Sequence, residues 1–233
     1  MIYLLTFADG NLFEKTRNLF DDTLNILEVD KHIKYNKNKI INTNFYKKNI
    51  DIFKYKVGFG LYIWKPYIIL QELTNIQYGD YIFYCDCSKY IIEGFKHSIK
   101  PLIEYMEQNK IDIIPGILQP KINNITSSDI CINRIHHDYN FNIDNFKNSY
   151  QYTAGHIVIK KTNNSIHFIQ EWLKYCQIWE CIKKIKTPFG FNNCDMSIFN
   201  ILLFIYGIKN PTPPLTKEIA RDHNIFLKSF NSN

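Results

Sequence analysis

The chain has 233 residues, 45% of them hydrophobic and 21% charged. That balance excludes an intrinsically disordered chain and fits one globular domain of ordinary size. The formal charge of +6 favours anionic partners, but the lysines are spread out and only 31–56 is locally basic, so nucleic acid is not the expected partner.

Ile2-Tyr3-Leu4-Leu5-Thr6-Phe7 reads as a buried strand, punctuated by Ala8-Asp9-Gly10-Asn11. Leu12, Phe13, Leu19, Phe20, Leu24 and Leu27 follow a helical rhythm, predicting a helix over 12–27. His32-Ile33-Lys34-Tyr35 is a candidate strand, and the Asn-rich stretch 36–56 reads as loop with a short helix. Trp64-Lys65-Pro66 opens a helix that Tyr67 to Leu73 continues; proline at a helix start leaves no hydrogen bond unmade. Gly79-Asp80 turns the chain into Tyr81-Ile82-Phe83-Tyr84-Cys85, a buried strand ending at Asp86.

Lys96 to Asn109 predicts a helix and Ile111 to Ile114 a strand. The stretch 131–150 is polar and aromatic and reads as an irregular excursion. Gly155 to Lys160 is a strand. Ser165 to Cys181 is an amphipathic helix around Ile166, Ile169, Trp172 and Leu173, and Asp195 to Tyr206 is a second strong helix. Pro211 to Pro214 breaks the pattern before the tail. Strands alternating with helices predict an α/β domain over 1–233, with a mostly parallel central sheet and helices on both faces.

The six cysteines include no C-x-x-C pair, which argues against a structural zinc site and for a reduced, cytoplasmic setting. The opening residues lack the basic region of a signal peptide, and no apolar run approaches the roughly 20 residues of a membrane span.

Ligands of open α/β sheets sit beyond the carboxyl ends of the strands. Asp9 and Asp86 lie there, as turn residues or as site residues. Asp86 and Ser88 put a carboxylate and a hydroxyl two residues apart, a pair able to share a divalent ion that neutralises a diphosphate. Trp64, Trp172 and Trp179 can stack on sugar rings, although Trp172 and Trp179 fall on an apolar helix face and read as core. His136, His137 and Asp138 form a further polar knot.

Five segments, in order, resemble a family of small bacterial and viral GT-A-type glycosyltransferases. They are Thr6-Phe7-Ala8-Asp9; the glycine–aromatic–Trp-Lys-Pro stretch Val57 to Tyr67; Gly79 to Asp86; Ala154 to Lys160 with the following Glu171-Trp172-Leu173; and Asp195-Met196-Ser197. The resemblance runs from Ile2 to about Asn224. It implies a GT-A (Rossmann-like) fold and a nucleotide-sugar donor, in all a hexosyltransferase that uses a UDP-sugar and a glycan or glycoprotein acceptor hydroxyl.

On that reading Thr6, Phe7, Ala8 and Asp9 bind the donor, with Asp9 near its base or ribose. Gly58 and Gly60 let the backbone approach the donor, beside Trp64. Lys65 and Asp86 lie near the diphosphate; Ser88, Ala154, Gly155 and His156 also bind the donor, and Gly155-His156 can line the acceptor cleft. Asp195 is the catalytic candidate, as general base or as stabiliser of an oxocarbenium-like transition state, although helix capping would also explain it. Asp86, Ser88 and His223 are the implied metal ligands, with residues 211–233 closing the site. A histidine ligand favours Mn²⁺ over Mg²⁺. The family's second acid is replaced by Ser88 and its glutamine by Met196, which leaves an alternative: a catalytically degenerate domain that binds glycan or nucleic acid.

Overall fold

A computed structural model describes residues 1–87, 97–187, 190–191 and 194–210. Ser88, His223 and the tail 211–233 therefore lie outside the described residues. The central sheet has five strands: β1 (Ile2–Phe7), β2 (Lys31–Tyr35), β3 (Tyr81–Asp86), β4 (Ile113–Ile114) and β7 (His156–Lys160), in the order β2-β1-β3-β7-β4. β1 runs parallel to β2 and β3, while β7 is antiparallel to both β3 and β4. The sheet is thus mostly parallel, as expected, with β7 reversed. A side ribbon pairs β5 (Leu118–Ile122) with β6 (Tyr150–Tyr152).

Strand side chains alternate between faces, and the burial follows that alternation. Leu5, Phe7, Ile82, Tyr84, Ile157 and Ile159 enter one core. Leu4, Tyr81, Phe83, Cys85 and Val158 enter a second core on the opposite face. Helices α2 (Trp64–Asn75), α4 (Asp129–Tyr139), α5 (Asn163–Cys176) and α6 (Cys194–Ile205) cover the first face. Phe20, which follows α1 (Asn11–Leu19), covers the second with α3 (Lys100–Asn109). Each fully buried Leu or Ile contributes roughly 1.5–3 kcal/mol to this arrangement.

Several elements differ from the sequence expectation. The predicted 12–27 helix ends at Leu19, and a 3₁₀ turn and a four-residue helix, Leu24–Leu27, follow. Stretch 36–56 forms three short helices, Asn38–Ile41, Asn44–Lys48 and Ile50–Phe53. The predicted excursion 131–150 is mostly helical. Ser128 caps α4 by accepting the Cys131 N–H at 3.1 Å, and Cys131, Ile132 and Ile135 bury one narrow face. That stripe of three apolar residues among polar ones hides the period. Asn142 caps the next helix, Ile143–Asn148, in the same way.

The predicted 165–181 helix begins at Asn163, where Thr162 and Ser165 form a reciprocal capping box, and ends at Cys176. A separate short helix, Trp179–Ile182, follows. Trp172 is fully buried; Trp179 is half-buried, packing against the same core and against Tyr55, so its core reading holds in part while the single long helix does not. All six cysteines are buried free thiols. Among the described residues no helix is long and apolar enough to cross a membrane.

Candidate functional site

The site lies where β1 and β3 end and β7 begins. Phe7 pairs with Asp86 across the β1–β3 ladder, and Cys85 pairs with His156 across β3–β7. Asp86 shares its side of the strand with Tyr84 and Ile82, so its carboxylate falls on the face that α2 and α6 cover.

Trp64 anchors the start of α2. Its ring stacks on Phe7 with centroids 3.8 Å apart, and its indole N–H donates to the Gly58 carbonyl at 2.8 Å. Lys65 follows in the first helical turn and is buried against the strand ends. Its Nζ donates to the Ala154 carbonyl at 3.0 Å and lies 3.5 Å from Asp86 Oδ1 and 3.7 Å from Asp195 Oδ2. The rings of Tyr62 and Tyr84 lie 5.6 and 5.3 Å from the ammonium, within cation–π range. Pro66 is the third helical residue, where its missing N–H still has no partner to lose.

Asp195 is placed by α6, a helix buried on nearly all sides. Trp172 Nε1 donates to the Asp195 carbonyl at 3.0 Å, and Ser197 Oγ donates to the Thr126 carbonyl at 2.7 Å. Asn200 takes the N–H and the carbonyl of Tyr152, at 2.7 and 2.9 Å. These bonds fix the helix start, and Asp195 Oδ2 is left buried with no hydrogen-bond partner among the described residues.

The electrostatics follow from this burial. Desolvation raises the Asp195 pKa from 3.8 to about 7; Lys65 opposes the rise and the Asp86 charge adds to it. Burial also penalises the charge of Lys65, but the carboxylates of Asp86 and Asp195 outweigh it and hold its pKa above the ordinary lysine value. Lys65 therefore stays charged and Asp195 is the group that titrates near neutrality. Tyr84 donates its hydroxyl to Asp86 Oδ1.

The cleft around these groups has a volume of about 370 Å³, and Tyr62, Ala154, Gly155, Lys184 and Met196 also line it. An adjoining hollow of about 400 Å³ shares Tyr62 and Asp86, and is lined further by Phe7, Asp9, Gly58, Phe59, Trp64 and Lys56. Both fall within the ordinary range for small-ligand sites. A larger hollow of about 530 Å³, lined among others by Tyr105, Lys110, Asp112, His167 and Lys209, shares no residue with these two.

Backbone strain concentrates here. Phe59, Leu61 and Tyr62 have φ of 48°, 57° and 66°, and Cys194, just before Asp195, has 45°. Non-glycine residues hold such values at a cost of about 1–3 kcal/mol each, and they cluster at functional sites. Gly155 allows a close approach: a Cβ there would lie 3.1 Å from Asp86 Oδ2.

The predicted residues thus divide. Phe7, Asp9, Gly58, Trp64, Lys65, Asp86, Ala154, Gly155 and Asp195 line the two joined hollows. Thr6, Ala8, Gly60 and His156 do not. Thr6 and His156 lie on the other strand parity and point to the second face. The Thr6 hydroxyl pairs with His32 Nε2 at 2.8 Å, and His156 Nε2 accepts the Ile117 N–H at 3.3 Å. Ala8 is buried in the second core, and Gly60 is packed against Phe53. Tyr62, Tyr84, Lys56 and Lys184 were not among the expected site residues. Strand parity was the available signal for Tyr84, which lies two residues before Asp86.

Of the implied metal ligands, only Asp86 lies within the described residues. Its Oδ1 is already engaged by Tyr84 and Lys65, and no three His, Cys, Asp or Glu side chains converge on a metal position among the described residues. The described residues by themselves do not form a divalent site; Lys65 supplies the positive charge beside Asp86.

No family model matches the chain, and neither a curated protein nor a solved structure matches it.

Proposed function

We propose that the chain is a glycosyltransferase that moves a hexose from a nucleotide diphosphate sugar, such as a UDP-sugar, to an acceptor hydroxyl. The observation that carries this reading is the buried Lys65 ammonium between Asp86 and Asp195, lining one of two adjoining hollows that share Asp86 and Tyr62 beyond the strand ends. One hollow is aromatic and suits a base and ribose. The other carries the charges and suits a diphosphate and sugar. The five ordered segments that resemble the GT-A-type family point the same way.

Asp195 has the attributes of a general base. Its Oδ2 has no hydrogen-bond partner among the described residues, and its pKa of about 7 lets it take a proton near neutral pH. In the proposed step Asp195 Oδ2 removes the proton from the acceptor hydroxyl as that oxygen bonds to the anomeric carbon. The bond from that carbon to the diphosphate oxygen breaks, and the nucleoside diphosphate leaves with the electron pair. Lys65, already charged, meets the negative charge that develops. A single displacement of this kind inverts the anomeric centre.

Met196 lines the cleft where the family carries glutamine, and this supports the second reading, a domain that binds without turnover. A thermal-shift screen of UDP-glucose, UDP-galactose, UDP-N-acetylglucosamine and GDP-mannose, with Mn²⁺ and with EDTA, tests both. A ligand at 100 times its Kd stabilises by about 2.7 kcal/mol. A shift that persists in EDTA is expected if Lys65 holds the diphosphate. Release of nucleoside diphosphate by the wild type, lost in Asp195→Asn, supports the transferase. If none of these donors moves the melting temperature at millimolar concentration, the reading fails.

A further inference from the structure

Outside the cleft, one surface combines chemistry that the proposed reaction leaves unused. Tyr55 is exposed and Trp179 half-buried, with ring centroids 4.8 Å apart and planes tilted by 34°. Together with Asp51, Ile52 and Lys54 they line a hollow of about 610 Å³. The Asp51 carboxylate and Lys54 ammonium pair at 2.6 Å and are both exposed. The surface therefore offers aromatic faces flanked by a hydrogen-bond acceptor and a donor.

Two chain segments join this surface to the cleft. Tyr55 borders the aromatic platform, Lys56 the adjoining hollow and Val57 the charged cleft. Two residues of extended chain span at most about 7 Å. On the other side, Trp179 borders the platform and Lys184 the cleft, five positions later. The platform thus lies next to Asp195's cleft and is not an isolated patch.

We infer that Tyr55 and Trp179 form a carbohydrate subsite, which holds a pyranose ring of a glycan acceptor beside the cleft. A pyranose presents an apolar C–H face, which suits an aromatic surface, and a rim of hydroxyls, which suits Asp51 and Lys54. This deepens the transferase reading by naming the acceptor as an oligosaccharide that extends beyond the reacting sugar. The platform itself is read from its own residues and is tested separately.

The full chain is applied to an array of hexopyranose and N-acetylhexosamine oligosaccharides, and a single-stranded oligonucleotide is tested in parallel. The wild type is expected to hold at least one glycan class. Tyr55→Ala and Trp179→Ala are each expected to weaken that binding about tenfold, the scale of one lost aromatic contact. Trp179→Phe is expected to keep most of it. Thermal melting of each variant checks folding, and Tyr55→Ala, at an exposed position, supplies the result if Trp179→Ala does not fold.

No glycan held, equal binding by the folded alanine variants, or oligonucleotide binding that competes for the same surface would overturn the subsite. Donor-induced stabilisation without glycan binding sinks the subsite and spares the transferase reading. Glycan binding without any donor response does the reverse.

Discussion

Replacing Asp195 by Asn removes one ionisable proton while keeping the side chain's shape. The native carboxyl has a pKa of about 7 against 3.8 ordinarily. Between those values the native state keeps a proton that the unfolded chain has released. Wild-type stability from this group is therefore fully present below pH 3.8 and is lost as pH rises to about 7. Above pH 7 the loss stays constant. Three pKa units at 1.36 kcal/mol each make a total of about 4 kcal/mol.

Between pH 5 and pH 8 the two units still to be crossed give about 3 kcal/mol. Asparagine carries no such term, and every other titrating group is common to both proteins. Asp195→Asn is thus expected to gain on the wild type by about 3 kcal/mol from pH 5 to pH 8. For a chain of this size, that is roughly 5–10 °C in Tm. Urea unfolding of both proteins at half-unit pH steps measures the difference directly. The same variant is expected to lose donor turnover, because the general base is gone. Parallel stability curves, or a wild type that gains with rising pH, would refute the burial-driven shift and with it the assignment of Asp195 as the neutral-pH base.

Three further outcomes follow from the same geometry. Lys65→Met leaves Asp86 and the buried Asp195 without their cation; it should cost about 3 kcal/mol in urea unfolding at pH 8, less at pH 5, and abolish the donor-induced melting shift. Gly155→Ala places a methyl group 3.1 Å from Asp86 Oδ2 and should weaken donor binding at least tenfold in calorimetry, with a stability loss of only about 1 kcal/mol. Ser128→Ala removes the cap of α4 and should cost about 1 kcal/mol by urea unfolding with donor affinity unchanged; a change in affinity would show that α4 is coupled to the cleft.

The sequence alone determined much of the frame. Ile2–Phe7 and Tyr81–Asp86 are short apolar runs bounded by turn residues, and they form adjacent strands as read. Trp64 and Asp195 stand at helix starts because local signals mark them, a proline at 66 and a long apolar run after 195. The stretch 131–150 carries little helical signal in sequence because its first helix buries only a three-residue stripe and the caps, Ser128 and Asn142, lie among many other polar residues.

Which strand-end residues share one cleft was decided by tertiary structure. Side-chain alternation sends Asp86 and Phe7 to the face covered by α2 and α6, and sends Thr6 and His156 to the other. Parity is legible in sequence; which helices cover which face is not. The approach of Lys65 to Asp86 and Asp195 joins residues up to 130 positions apart, and no local pattern encodes it. The raised pKa of Asp195 has the same origin, since burial belongs to the packed helix and to no residue taken alone.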